Sequence, residues 1–340
     1  MRTIVVLAYE GAALLDIAGL AQAFGAASTR ACDAQLVPSY EIKIASIGGG
    51  AIRTSTGVDL ASVPLTCLAA HTVDTLIVCG GGEWMARKDR AWLLDQSESC
   101  RRIAGVSAGV LALAAAGVLD GRRITTHWSM CGALQTCYPK VEVEADAIFV
   151  RDGKVWTSAG ATAGIDMALA MIEEDLGRAT SLDVARDLVL FQKRAGGQPQ
   201  ESAVLQGQRI GDDNLRRLIE WIVENPSANL NTETLADKAQ MSLRTLFRAF
   251  GEYLQTTPRE FVEAVRLEAA CRRLEQTSES IALVSRKAGF SSAEAMRRAF
   301  DRRFCLTPSE YRDRASNSSR DTAAGPFFAA GAIAQPEFRR

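Results

Sequence analysis

Gly105-Val-Ser107-Ala-Gly109 is a G-x-S-x-G pentapeptide lying between an apolar run and a helical pattern. Such a pattern forms a sharp strand-to-helix turn that exposes its central side chain as a nucleophile. A serine nucleophile needs a base within hydrogen-bond reach and a third group that orients the base. The sequence contains two histidines, and His127 is the plausible base, because His71 falls in a loop before a strand that opens near Asp74. Asp16 or Asp120 is the third member. Ser107 and His127, with Asp16 or Asp120, therefore outline a hydrolase or acyl transferase. The competing reading is a glycine-rich turn that needs small residues for packing alone. A second constellation follows Gly80, Gly81 and Gly82: Glu83 and Trp84 place a carboxylate beside an indole at the C-terminal end of a strand. Open α/β sheets bind ligands at such ends, and this pair suits a cationic amine or quaternary ammonium. The first turn of an amphipathic helix carrying Trp92 and Leu93 also accounts for Trp84.

The elements that must position these residues occupy 1–195. Short β-branched runs at 3–8, 41–47, 74–79 and 102–106 alternate with helical patterns near 12–26, 84–98, 108–117, 161–176 and 180–193. A hairpin over 147–159 turns at Asp152–Gly153. Continuous apolar strands alternating with helices imply a mostly parallel sheet covered on both faces. Residues 196–211 carry glycines and a proline without a clean period and read as a linker. Over 212–315 the strand signals vanish and seven helices follow, at 214–224, 232–239, 243–254, 258–275, 281–288, 292–304 and 308–314. The last stretch, 316–340, has the composition of a loose tail.

The helical half contains an internal repeat. Leu235 to Phe261 and Val284 to Tyr311 each read as a helix, a turn at a serine, and a second helix with Arg two before Phe. Thr-Pro-x-Glu then opens another helix. Thr257–Glu260 and Thr307–Glu310 are capping boxes with proline at the first helical position. Two helices joined by a short turn, occurring twice, make two helix-turn-helix units around a long helix. In each unit the second helix is the one that enters a major groove. Leu246, Phe250 and Leu254 lie on the core stripe of the first, with Arg244, Thr245 and Arg248 outward. Met296, Phe300 and Phe304 lie inward on the second, with Glu294, Arg297 and Arg298 more exposed. Arginine reads guanine bidentately or grips phosphate, and glutamate accepts from cytosine N4.

The chain of 340 residues carries 39 basic and 40 acidic side chains, with 47 % hydrophobic residues. This composition excludes disorder and a polybasic, indiscriminate nucleic-acid binder, but leaves room for a local basic face. Residues 212–315 hold 17 basic against 16 acidic side chains, so bulk charge is a weak argument for DNA and the repeat geometry carries it. Eight cysteines without a C-x-x-C pair read as small buried hydrophobes in a reducing compartment. Neither a metal site nor a cofactor is expected. Glu10 and Asp16 interrupt the apolar N-terminus, so a secretory signal is rejected, and no run is long enough to span a membrane. A cytoplasmic protein is the expectation.

The helical half resembles the AraC/XylS family of transcriptional regulators over about 100 residues. The match runs through LADKAQMSLRTLFRAF, TPREFVEAVRLEAACRRLE, SIALVSRKAGFSSAEAMRRAF and LTPSEYR. The resemblance implies two recognition helices in successive major-groove segments, held apart by the long central helix. It places Arg244, Thr245, Arg248, Glu294 and Arg297 toward the groove, and Arg298 in support of the fold or on phosphate. Gln240, Gln255 and Cys305 depart from the family pattern, which has glycine at these helix ends. Residues 1–195 resemble the PfpI/ThiJ branch of the class I glutamine-amidotransferase-like superfamily, through LDIAGLAQAF, VCGGGEW, GVSAGVLALAAAGVLDGRRITTHW and VWTSAGATAGIDMALAMIEEDLG. This implies a flavodoxin-like, doubly wound sheet. Enzymes of that branch carry cysteine at the elbow, where this sequence has Ser107, so low-pKa thiolate chemistry is lost. The two halves together resemble the GlxA-like arrangement of regulators. There the α/β half senses a small metabolite and dimerises without turnover, and RNA polymerase is a further partner of any activator. Asp16, Gly81, Gly82, Glu83, Trp84, Ser107, Ala108, His127 and Trp128 are the pocket candidates. The N–H groups of Ala108–Val110 are expected to aim inward and favour an anionic group. His127 stands open between a structural role and a ligand contact.

Overall fold

The computed structural model describes residues 1–33, 39–68, 73–80, 87–202, 205, 210–304 and 306–317. These form two compact units, Met1–Gln200 and Glu201–Asn317. The pocket candidates Gly81, Gly82, Glu83 and Trp84 lie outside the described residues, as do His71, Cys305 and the region read as a tail beyond 317.

In the first unit, β1 (Arg2–Leu7) buries Ile4, Val5, Val6 and Leu7 completely, which demands cover on both faces. Around it stand β2 (Tyr40–Ser46), β3 (Gly50–Arg53), β4 (Asp59–Pro64), β5 (Thr75–Cys79), β6 (Arg102–Val106), β9 (Phe149–Asp152) and β10 (Val155–Ser158). Their order is β3-β4-β2-β1-β5-β6-β10-β9. The stretch from β4 to β10 is parallel, while β3 and β9 are antiparallel edges. The central five strands run in the flavodoxin-like order, reversing between β1 and β5. Side-chain alternation splits the core in two. Ile4, Val6, Ile77, Ala104 and Val106 pack under α1 (Leu14–Asp33), α5 (Thr162–Leu176) and α6 (Arg178–Asp187). Val5, Leu7, Leu76, Val78 and Ile103 face α2 (Arg87–Ser99), α3 (Gly109–Ala115) and α4 (Trp128–Cys137). A small parallel pair, β7 (Arg123–Ile124) with β8 (Glu142–Val143), flanks α4.

Three local features differ from the sequence reading. The β9–β10 hairpin pairs Asp152 with Val155, so its two-residue turn is Gly153–Lys154 and Asp152 belongs to the strand. Gly153 takes the first central position at φ +62°, which glycine adopts without steric cost. Helix α4 and the β3–β4 hairpin were not anticipated. Residues 196–200 are bonded to the α/β unit, through Phe149 N–H to Gly196 O (3.2 Å), Ile148 N–H to Gln198 O (3.1 Å) and Gln200 N–H to Asp146 O (3.0 Å). Gly196 serves close packing here: a Cβ on it would fall 2.5 Å from Phe149 O.

At the N-terminal edge of the sheet a buried charge cluster ties β6 to α5. Arg102, 3 % exposed, donates to both Asp175 carboxylate oxygens at 2.8 Å, and Asp175 is 2 % exposed. Arg101 adds bonds of 2.8 and 3.1 Å, and the Tyr40 hydroxyl donates at 2.9 Å. Burial alone would raise the Asp175 carboxyl, but the bonds and charges of Arg101 and Arg102 outweigh it and hold it at about 2.

The second unit is all helical: α7 (Asp213–Glu224), α8 (Thr232–Ala239), α9 (Leu243–Ala249), α10 (Pro258–Gln276), α11 (Ile281–Lys287), α12 (Ala293–Phe304) and α13 (Pro308–Asn317). The short polar residues written before each apolar stripe act as caps: Asp212, Asn231, Ser242 and Ser280 all accept N–H bonds from the first turns. Both capping boxes form, Thr257 with Glu260 and Thr307 with Glu310. The segment expected as one helix to Leu254 changes to a π-helical turn at Phe250–Leu254. Gln240 and Gln255, at the family's glycine positions, sit in the left-handed region at φ +56° and +53°. The backbone demand therefore persists although the glycine does not.

Candidate functional site

The α/β unit gathers the elbow, an acid and a histidine at the C-terminal end of its sheet. Ser107 follows β6 at φ +53°, a strained conformation for a residue other than glycine. The turn is held from two sides: Ser107 N–H donates to Ser158 O on β10 (2.9 Å), and Thr126 Oγ1 donates to Ser107 O (2.8 Å). Gly109 explains the last letter of the pentapeptide, since a Cβ there would fall 1.9 Å from Val78 O. Asp16, in the first turn of α1, is 3 % exposed and accepts the Ala161 N–H at 2.5 Å. Burial pushes its carboxyl up, while the Ala161 bond and the charge of His127 pull it down. Gly160 is where these groups converge. A Cβ built on it would lie 2.6 Å from Ser107 Cβ, 3.1 Å from Ser107 Oγ and 3.3 Å from Asp16 Oδ1. Neither Gly160 (φ +93°) nor Ala161 (φ +49°) was singled out from the sequence. The signal available was a second small-residue strand-to-helix turn, S-A-G-A, echoing G-V-S-A-G.

His127 is the N-cap of α4. Its Nδ1 accepts the Ser129 N–H (3.4 Å) and lies 2.7 Å from Ser129 Oγ, while its ring stands 5.0 Å from that of Trp128. Trp128 is 48 % exposed, so it borders the site without being buried in it. Ala108 has right-handed helical backbone and supplies no side-chain cap. Of the N–H groups expected to aim inward, that of Val110 is turned to Ser107 O (3.3 Å), which corrects that part of the anion-site reading. Gln200 was missed. Its Oε1 accepts the Trp128 N–H (2.9 Å), and its Nε2 donates to the carbonyls of Thr126 (2.9 Å), Ala145 and Ala147 (3.1 Å each). Cys79, at the end of β5, is fully buried, and burial together with Asp16 pushes its thiol well up. Among the described residues no cluster of three or more His, Cys, Asp or Glu could hold a metal ion, and no helix is long and apolar enough to cross a membrane.

Residues 2–174 match the DJ-1/PfpI family, and residues 235–314 match a helix-turn-helix domain. The HTH-type transcriptional regulator CdhR of Pseudomonas aeruginosa is 32 % identical over 294 residues, spanning 84 % of this chain and 85 % of that protein. The HTH-type transcriptional regulator GlxA of Rhizobium meliloti is 32 % identical over 293 residues, spanning 82 % and 87 %. The chain belongs to this family of helix-turn-helix transcriptional regulators. The fold of its first unit also occurs in a ThiJ/PfpI family protein from Pseudomonas syringae, at a TM-score of 0.50 and 23 % identity over 70 % of this chain and 88 % of that one.

In the regulator's first helix-turn-helix unit, Leu246, Ala249 and Phe250 of the second helix are buried, while Arg244 and Arg248 are exposed on the opposite side. Thr245 is half-buried and helps close the turn, its N–H and hydroxyl both meeting Ser242 Oγ. Leu243 and Phe247 stand 44 % and 45 % exposed beside the arginines. Sequence reasoning passed over them because apolar residues in a helix are first assigned to the core. In the second unit Arg297 forms a bidentate pair with Glu294 at 2.9 and 2.8 Å, which holds the Glu294 carboxyl down. Arg298 is exposed and makes no hydrogen bond or ion pair with the described residues.

Proposed function

We propose that this regulator couples a pocket for a small cationic metabolite to sequence-specific recognition of operator DNA, as a cytoplasmic homodimer. The observation that carries the reading is the convergence of Asp16, Ser107 and Gly160 at the C-terminal end of the sheet, beside the reversal of strand order. A carboxylate buried in such a place is stabilised by a cation that replaces its lost water. Amines, quaternary ammonium compounds and amino-acid derivatives are the classes with that charge. Ala108, His127 and Trp128 belong to the same proposed pocket, and the sequence alone adds Gly81, Gly82, Glu83 and Trp84, which follow β5 in the chain. The protein does not turn its ligand over. Ser107 is an alcohol where the branch's enzymes carry a thiol, and His127 Nδ1 is engaged by Ser129 at the cap of α4. In a thermal-shift series of amines, betaines and amino acids on the full chain, a saturating effector should stabilise the protein by about 2.7 kcal/mol at a hundredfold its Kd. Asp16→Asn should abolish that shift. Retention of the full shift in the variant overturns the assignment of Asp16.

Arg244, Thr245 and Arg248 read one major-groove segment, Glu294 and Arg297 read the next, and Arg298 meets the DNA backbone. Ligand binding changes which pair of half-sites the dimer occupies together, and an activating complex then meets RNA polymerase. Arg244→Ala should cost about 1–3 kcal/mol against the preferred sequence and relax preference at one base position. The check is binding to a panel of single-base operator variants, and uniform weakening across the panel moves Arg244 from base to phosphate.

A further inference from the structure

A cavity of about 470 Å³ opens within the helical unit, between the entrance of α8, one face of α10 and one face of α12. It lies between the two helix-turn-helix units. Arg259, Glu263 and Arg266 line it from α10, and Arg298 and Arg302 from α12. The spacings 259-263-266 and 298-302 each keep to one helix face. Four guanidinium groups therefore meet one carboxylate in a unit whose charges otherwise nearly cancel, at 17 basic to 16 acidic over 212–315.

The four arginines differ in what they already hold. Arg266 donates to Pro226 O (3.0 Å) and Ala228 O (3.2 Å) and serves the fold. Arg302 grips both oxygens of Glu263 at 2.9 Å and closes one wall. Arg259 and Arg298 are exposed, one from each side of the groove, and neither makes a hydrogen bond or ion pair with the described residues. Arg298 feels the charge of Glu294 without bonding it, and an anion seated between the two guanidinium groups would bond both.

Resting on the reading of this unit as a DNA reader, we propose that the groove seats a backbone phosphate of DNA between the two reading segments, held by Arg259 and Arg298. A phosphodiester is the anion that duplex DNA presents between two successive major-groove segments, and paired guanidinium groups suit its charge. A duplex crossing both second helices must carry its backbone past the space between them.

The experiment uses the full chain and a duplex selected from a random pool by the wild-type protein. The slope of log K against log salt concentration should lose about 0.9 in magnitude for Arg259→Ala, and again for Arg298→Ala. Sequences reselected by either variant should keep the wild-type base preferences, and Arg259→Lys should recover the slope. Unchanged slopes in both alanine variants overturn the proposal. So does a third result, in which inorganic pyrophosphate protects the wild-type protein from thermal unfolding, Arg259→Ala loses the protection and the DNA slope is unaltered. That would place a free phosphoanion in the groove. Failure of the parent reading looks different: the wild-type protein would then enrich no sequence from the pool at all.

Discussion

Asp175→Ala should destabilise the α/β unit by about 3–5 kcal/mol, because removing one member of a buried ion pair strands its partner. Arg102 is 3 % exposed and cannot turn to water without opening the sheet edge. Glu174 remains as a neighbour, but it also serves Arg151 (2.7 Å) and is 31 % exposed. Urea unfolding of the full chain, followed by a signal from the first unit, measures the loss. A cost below about 1 kcal/mol would show that water reaches Arg102 freely. Removal of Asp187, which meets Arg30 on an exposed surface, should matter far less. The pH dependence has a definite sign. The Asp175 carboxyl is depressed to about 2, so the stability it contributes is fully present above the ordinary carboxylate range near 4 and is lost as pH falls toward 2. Asp175→Asn should lose that acid step while remaining less stable at neutral pH.

Gly160→Ala should silence the response to effector while leaving DNA binding without effector intact. The new methyl would overlap Ser107 Cβ at 2.6 Å and crowd Asp16 Oδ1 at 3.3 Å, inside the proposed pocket. The backbone at φ +93° adds a strain of about 1–3 kcal/mol for any L side chain, and the overlap costs about as much again. Gly117→Ala is the matched control. It too has positive φ, at +80°, but a Cβ there meets nothing within 4 Å. If both variants lose stability equally and both keep the effector shift, crowding at Ser107 is irrelevant and the pocket lies elsewhere.

Several of these elements were legible in residue order and others were not, for physical reasons. The helical unit was readable because its signals are local: a cap, a stripe of period 3.6 and a proline in the first turn lie within a few residues of one another. The parallel strands were readable because burial on both faces leaves an unbroken apolar run, as in Ile4 to Leu7. Strand β4 escaped because its side chains are alternately exposed and half-buried, and β3 because it is short, mostly exposed and carries no apolar run. Helix α4 escaped because its start is capped by a histidine and by Gln200, which lies 72 residues from Trp128. The Arg102–Asp175 pair spans 73 residues, and adjacent arginines at the start of a strand ordinarily read as solvated charge. At the candidate pocket, Ser107 and Asp16 were found by chemistry. Ala161 was not, since nothing in an alanine announces a φ of +49°.

Gln200 has a consequence for where information can leave the α/β unit. It is the last described residue of that unit, and its side chain holds the peptide between Thr126 and Trp128 from both ends. The connector to the DNA reader is thus anchored to the backbone that carries His127, and not to the far side of the sheet. Inside the first unit, the path from that histidine to the outgoing chain is the length of one glutamine side chain.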